Sequence, residues 1–208
     1  MNWQAVFFDF DGVIVDSVPA KGKAFADLFR DYGPKIEKKV VEYHYANGGV
    51  SREEKFKYYY RELIKQSLTE EKLTQLCRQF SGLVLEKVIS ASYLDGVLES
   101  LDKLKKREIP AFIVSGTPQV EIRLIVKERK LEKYFHGVYG SPEKKADIIT
   151  EILNTESFNP RNCLFIGDSM SDYEGAQIAN VNFLGIVSNG QISPFSIGTK
   201  ISEFVVLD

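Results

Sequence analysis

The segment Val6-Phe7-Phe8-Asp9-Phe10-Asp11-Gly12-Val13 constrains the fold of this chain more than any other. Three apolar residues run into two carboxylates spaced by one, and a glycine follows. A short apolar run closed by glycine reads as a strand buried on both faces, the habit of parallel sheets. Asp9 and Asp11 then stand at the strand's carboxyl end, where open α/β sheets take their ligands. Side chains at i and i+2 point to one face. Two carboxylates there repel unless a divalent cation neutralises them or they divide into nucleophile and proton carrier. Taken alone, the same residues also suit a solvated turn.

The remainder of the 208 residues supports the sheet. After Ser17 the chain reads as wholly helical to about residue 90. Ser17 is a candidate N-cap with Pro19 in the first turn, and Ala24, Phe25, Leu28 and Phe29 recur at helical spacing, up to a stop near Tyr32-Gly33-Pro34. Ser51-Arg52-Glu53-Glu54 has the form of a capping box. It opens a helix carrying Phe56, Tyr59, Tyr60 and Leu63, and Tyr58-Tyr59-Tyr60 reads as packing. A further helix follows Thr69, with Leu73, Leu76, Cys77, Phe80, Leu83 and Val84 on one face. From residue 93 strands alternate with helices. Strands are expected at Ala111–Val114, Gly137–Tyr139, Cys163–Ile166, Val181–Val187 and Phe204–Leu207. Helices are expected around Val97–Leu104, from Pro118 to Arg129, over Lys145–Leu153 and around Ala176 and Ala179. That rhythm implies βαβ units. The expected fold is α/β, a doubly wound parallel sheet, with a helical domain over 17–90 inserted into a core of 1–16 and 91–208. An insertion beside the carboxylates can act as a lid.

Composition excludes several classes of function. A net charge of −2 gives no electrostatic case for nucleic acid or an anionic membrane. Apolar runs are of strand length, short of a membrane span. The first residues show no basic region or cleavage pattern of a signal peptide. Cys77 and Cys163 stand far apart in apolar contexts and read as buried free thiols of a reducing compartment. A cytoplasmic protein is expected.

Three more motifs follow strands. Ser115-Gly116-Thr117 ends one, and a hydroxyl with backbone N–H groups there suits phosphate, although a helix cap is the plainer reading. Gly140-Ser141-Pro142-Glu143-Lys144-Lys145 ends the next and offers a lysine, elsewhere most often a solvated charge. Gly167-Asp168-Ser169-Met170-Ser171-Asp172 ends the strongest buried strand, where glycine permits a sharp turn. Asp168 can ligate a cation, and Asp172 can ligate it or orient a water; Mg²⁺ needs few carboxylates because it keeps several waters.

Asp9-Phe10-Asp11-Gly12-Val13-Ile14-Val15-Asp16-Ser17, with these three motifs in order, resembles the haloacid dehalogenase superfamily, and within it the phosphoglycolate phosphatase and beta-phosphoglucomutase group. The resemblance covers essentially the whole chain. It implies a Rossmann-like core with a cap domain, and a Mg²⁺-dependent phosphatase acting on a small-molecule phosphate ester. Asp9 would be the nucleophile. Asp11, initially protonated, would be the acid and then the base. Ser115 and Lys145 would stabilise the phosphoryl oxygens, and Gly116 and Thr117 would bind the substrate beside them; Lys144 is the alternative motif lysine. Asp9, the backbone carbonyl of Asp11, Asp168 and Asp172 would hold Mg²⁺. Asp11 favours oxygen esters, because the superfamily's dehalogenases lack that acid. Gly49-Val50-Ser51-Arg52-Glu53 resembles the cap segment in which mutases place a phosphate-binding arginine, so Arg52 is a candidate substrate residue, or else an exposed one. The mutases carry a histidine where this chain has Lys21, which argues for hydrolysis. A catalytically silent binding protein of the same fold is the third reading. Oligomeric state is not legible.

Overall fold

A computed structural model describes residues 3–188, 190 and 192–207. The first strand, β1 (Ala5–Phe8), is wholly buried. Its side chains alternate between two cores. Val6 and Phe8 join one apolar cluster, Ala5 and Phe7 the other. Burial on both faces is why the segment shows no polar alternation.

A helical stretch follows: α1 (Val18–Phe29), α2 (Pro34–Ala46), α3 (Arg52–Tyr58) and α4 (Glu70–Ser90). Helix α2 has no counterpart in the sequence reading. Its segment is rich in Lys and Glu and buries only Val40 and His44, so the periodic signal is faint. Pro34, read as a stop, sits at the helix's start, where a missing N–H costs nothing. After α3 the chain continues through a π-helical turn over Tyr59–Ile64. Phe25, Phe29, Phe56, Tyr59 and Phe80 form an aromatic core for these helices, Phe25 and Phe80 with ring centroids 4.3 Å apart. Tyr58 stacks on Tyr43 at 3.8 Å, so the tyrosine run packs as expected.

The chain then winds through α5 (Val97–Lys106), β2 (Ala111–Pro118), α6 (Gln119–Glu128), β3 (Gly137–Ser141) and α7 (Lys145–Thr155). It finishes through β4 (Cys163–Gly167), α8 (Met170–Ile178), β5 (Asn182–Ile186) and β6 (Ile201–Ser202). The sheet order is β3-β2-β1-β4-β5-β6, every pair parallel. This is the doubly wound order whose switch point lies between β1 and β4. Helices α7 and α8 pack on the face holding Ala5 and Phe7; α5 and α6 pack on the other.

Two expectations about strands are corrected. Strand β2, expected to end at Val114, runs on through Ser115-Gly116-Thr117 to Pro118. Its pairing to β3 slips between Val114 and Pro118, and its pairing to β1 ends at Ile113, so neither ladder takes Ser115–Thr117. Phe204–Leu207 is not a strand: Ile201–Ser202 takes the sheet edge, and the segment docks on α5 instead, with Ser100 donating to the Val205 carbonyl at 2.6 Å. Cys163 is buried as expected but Cys77 is only half-buried, and both are free thiols.

The two chain crossings between sheet and helical stretch lie side by side. Val15 bridges Tyr93, Asp16 N–H donates to the Ser92 carbonyl, and Leu94 N–H to that of Ile14.

Candidate active site

Asp9 is one residue beyond β1 and Asp168 one beyond β4, and the strand ends are in register, Phe8 opposite Ile166. The fold therefore brings these carboxylates together at the switch point. Asp9, Asp168 and Asp172 each offer an oxygen within 4.8 Å of the others. Against the Asp168 carboxylate runs the backbone of Gly12, at φ +79°. A Cβ there would collide with the Asp168 carboxylate, so only glycine allows this approach.

Each carboxylate has different partners. Asp172 is fully buried. Its Oδ2 accepts from Ser169 N–H and Oγ, at 3.1 and 2.5 Å, and its Oδ1 from Lys145 Nζ at 2.5 Å. Asp9 Oδ1 accepts from Phe10 N–H at 2.6 Å and Oδ2 from Lys145 Nζ at 2.9 Å. Asp168 Oδ1 is buried with no hydrogen-bond partner. A buried anionic oxygen without a donor is costly, and a cation is the group that would satisfy it. Burial, then Asp172 and against it Lys145, push the Asp9 carboxyl up to about 7. Burial, then Asp9 and Asp172, raise that of Asp168 well above its ordinary range. Three hard oxygens with mutual repulsion and an unsatisfied lone pair fit Mg²⁺.

Lys145, at the start of α7, is the lysine of its motif that enters the site. Burial disfavours its ammonium, but Asp172 and Asp9 outweigh burial and hold it charged. Lys144 stands at the N-cap position of α7 and makes no side-chain cap.

Asp11 lies apart from this cluster. Its Oδ1 accepts from Ser17 Oγ at 2.5 Å; its Oδ2 accepts from Lys21 Nζ at 2.5 Å and from Thr117 Oγ1 at 3.0 Å. Burial opposes its ionisation, yet Lys21 and the two hydroxyls hold the carboxyl below its usual range. An initially protonated Asp11 is therefore not what this environment favours. Ser17 spends its hydroxyl here, which is why it makes no side-chain cap to α1. Thr117 is thus a partner of Asp11. Ser115 Oγ accepts from Thr117 N–H at 3.1 Å. Gly116 touches the helical stretch: a Cβ there would strike the Gly49 carbonyl.

Arg52 is neither exposed nor unpaired. It is 6% exposed, and Glu121 of α6 accepts from both of its terminal nitrogens. Ser81 Oγ lies within hydrogen-bond reach, and Phe80 stacks beneath the guanidinium at 4.8 Å. Glu121 is held ionised, burial being outweighed by Arg52 and Ser81. The positive charge expected for phosphate is thus already matched by an internal carboxylate.

A cavity of about 60 Å³ lies between the helices and the carboxylates, lined by Asp9, Asp11, Asp168 and Thr117 on one side and Lys21, Arg52, His44 and Lys55 on the other. Lys21, His44, Lys55 and Glu121 were not among the expected site residues. Lys55 had a faint signal: it stands three residues after Arg52, on the same helix face. Nothing in a single sequence marks His44 or Glu121.

The sequence model of the haloacid dehalogenase-like hydrolases matches residues 6–186. A phosphorylated carbohydrates phosphatase of Thermotoga maritima is 30% identical over 187 residues, covering 86% of this chain and 82% of that protein. Phosphoglycolate phosphatase 1 of Pseudomonas aeruginosa is 25% identical over 191 residues, covering 85% of this chain and 66% of its own length, so the chain spans about two thirds of that relative. In fold, the chain resembles beta-phosphoglucomutase from Clostridium difficile, with TM-score 0.75 at 21% identity over 89% of this chain and 85% of that one.

Proposed function

The chain belongs to the haloacid dehalogenase-like hydrolases, and from that membership we propose that it is a Mg²⁺-dependent phosphatase of small phosphorylated metabolites, such as phosphoglycolate or a sugar phosphate. The observation that carries the reading is the convergence of Asp9, Lys145, Asp168 and Asp172 at one strand switch point, with Asp11 beside them on a separate hydrogen-bond network.

Asp9 is the nucleophile. Its oxygen bonds to phosphorus as the bond to the ester oxygen breaks, giving an aspartyl phosphate. The leaving oxygen takes the proton that the Lys21 ammonium shares with Asp11 Oδ2, and Lys21 regains it through Asp11 in the next step. Asp11 then accepts a proton from the water that attacks the intermediate, which releases inorganic phosphate and restores Asp9. Lys145 neutralises the phosphoryl oxygens, and Ser115 and Gly116, free of ladder pairing, donate to them. Asp9, Asp168 and, in support, Asp172, with the Asp11 backbone carbonyl, would hold Mg²⁺, which supplies charge neutralisation at the transferring group. Asp172 also fixes Lys145.

Residues 17–90 form the cap and 1–16 with 91–208 the core, joined at the adjacent crossings near Val15 and Tyr93. Free thiols fit a reducing cytoplasm. Among the described residues no helix is long and apolar enough to cross a membrane.

A phosphomutase is the second reading, favoured by the segment Gly49–Glu53. Against it stands the engagement of Arg52 by Glu121, which leaves no ready charge for a second phosphate there. A silent binding protein would have no need of the acid cluster. The test supplies beta-glucose 1-phosphate with a trace of bisphosphate, and a chromogenic phosphate ester with Mg²⁺. Free phosphate from either substrate supports a phosphatase. Glucose 6-phosphate with little free phosphate would establish the mutase, and no turnover at all a silent fold.

A further inference from the structure

Every cation lining the cavity but one is matched by a carboxylate among the described residues. Lys21 pairs with Asp11 and Arg52 with Glu121. Lys145, behind Asp9 and outside the cavity lining, is likewise matched, by Asp9 and Asp172. The exception is Lys55 of α3, 3% exposed, whose ammonium has one hydrogen-bond partner, His44 Nδ1 at 3.0 Å. His44 Nε2 lies 3.2 Å from the Val18 carbonyl, which can only accept, so the ring proton sits on Nε2 and Nδ1 offers its lone pair. The imidazole is therefore neutral: burial and then Lys55 push it down to about 3. Lys55 thus has a fixed direction but no counter-charge: among the described residues its ammonium meets only His44 Nδ1 and the Phe25 ring, 5.7 Å from the centroid. Burial, then Lys21, lower the lysine to about 7, while Asp168 and Asp11 partly oppose this from a distance. A buried cation without an anion is among the costlier arrangements in a protein. It is kept at the wall of a cavity that faces the nucleophile.

We propose that Lys55, positioned by neutral His44, is the specificity-determining residue of the cap and takes a second anionic group at the non-reacting end of the substrate. This rests on the phosphatase reading and narrows it. The substrate would carry a second anionic group near its phosphate, because the cationic partner is a single point charge set in the wall of the cavity that Asp9 also lines. With a neutral ester the lysine can shed its proton, whereas a second anionic group is paired by the ammonium, so the pocket favours the charged substrate.

The test compares carboxymethyl phosphate, propane-1,3-diyl bisphosphate and neutral-tailed 2-hydroxyethyl phosphate, with p-nitrophenyl phosphate as a reporter of phosphatase activity. The wild type is expected to favour a doubly anionic ester over the neutral one by about 100-fold in kcat/KM. Whether the carboxylate or the bisphosphate is preferred identifies the second group. Lys55→Met and Lys55→Gln should each reduce that preference to within about threefold, chiefly through KM. Gln still donates to His44, so a structural role for the hydrogen bond would survive in that variant. Lys55→Met should also melt higher than the wild type, because it removes an unmatched buried charge; a residue serving only the fold would do the opposite. Equal losses on charged and neutral esters, or a wild type that does not discriminate, would overturn the proposal. If nothing is hydrolysed, the phosphatase reading fails by itself. The proposal is then still decided by whether carboxymethyl phosphate raises the melting temperature of the metal-free wild type and not of Lys55→Met.

Discussion

At the scale of single residues, similar groups are given different tasks by their neighbours. Asp9 and Asp11 are two residues apart, yet one carboxyl is pushed up by burial and like charges and the other held down by Lys21. Asp9→Asn keeps the shape but cannot carry a phosphoryl group. Turnover should fall by ~10⁴ or more, over ~5 kcal/mol of barrier, with the circular dichroism spectrum unchanged; retention of a tenth of the activity would exclude Asp9 as nucleophile. Lys21→Met should release Asp11 from its ion pair, so that Asp11 keeps its proton to higher pH. The pH–rate profile for kcat should then shift upward on its acidic side, and an unmoved profile would remove Asp11–Lys21 from the proton path. Lys21, legible in sequence only as the place of an absent histidine, becomes a partner of Asp11 once the fold brings α1 over the strand ends.

Between elements, the contact that ties the helical stretch to the sheet's helices most visibly is Arg52 of α3 on Glu121 of α6, with 5% and 11% of the side chains exposed. Breaking one side of such a pair strands the other charge. Arg52→Met is expected to cost about 3 kcal/mol in urea unfolding, and Arg52→Met with Glu121→Leu to recover most of it; additive losses would mean that the pair is not coupled. The Glu121 carboxyl is held below its ordinary value of 4.5, so its contribution is fully present above that pH and lost as pH falls through the lower, folded value. The stability gap between wild type and Glu121→Gln should accordingly narrow from pH 6 to pH 3. In kinetics, Arg52 variants should change KM and substrate preference more than kcat, since the guanidinium shapes the cavity wall without reaching the acid cluster. Sequence reading found the helices with strong stripes, such as α4, and missed α2. A mostly exposed, Lys- and Glu-rich helix has little periodicity to find.

For the molecule as a whole, the buried acid cluster makes stability and metal affinity one question. Adding Mg²⁺ to chelated protein should raise the melting temperature and restore activity together, since a cation that binds only the folded state stabilises it by mass action. Ca²⁺ should bind but inhibit, because it prefers more ligands at longer distances. Full activity after exhaustive chelation would disprove the metal assignment. The sequence alone determined the strand-ending carboxylates, the order of the four motifs and the alternation of strand and helix, because burial on both faces and glycine-bearing turns leave local marks in the chain. From these the parallel sheet and the carboxylates Asp9, Asp11, Asp168 and Asp172 could be named, while the family resemblance implied Ser115 and a lysine of the pair Lys144-Lys145. Tertiary structure alone decided which lysine of Lys144-Lys145 enters the site, that Arg52 is matched by Glu121, that Asp11 is held as a carboxylate by Lys21, and that Lys55 faces the cavity beside a neutral histidine and the Phe25 ring with no counter-ion. Charge matching depends on which groups distant parts of the chain bring within hydrogen-bond reach. No local pattern in a single sequence records that distance.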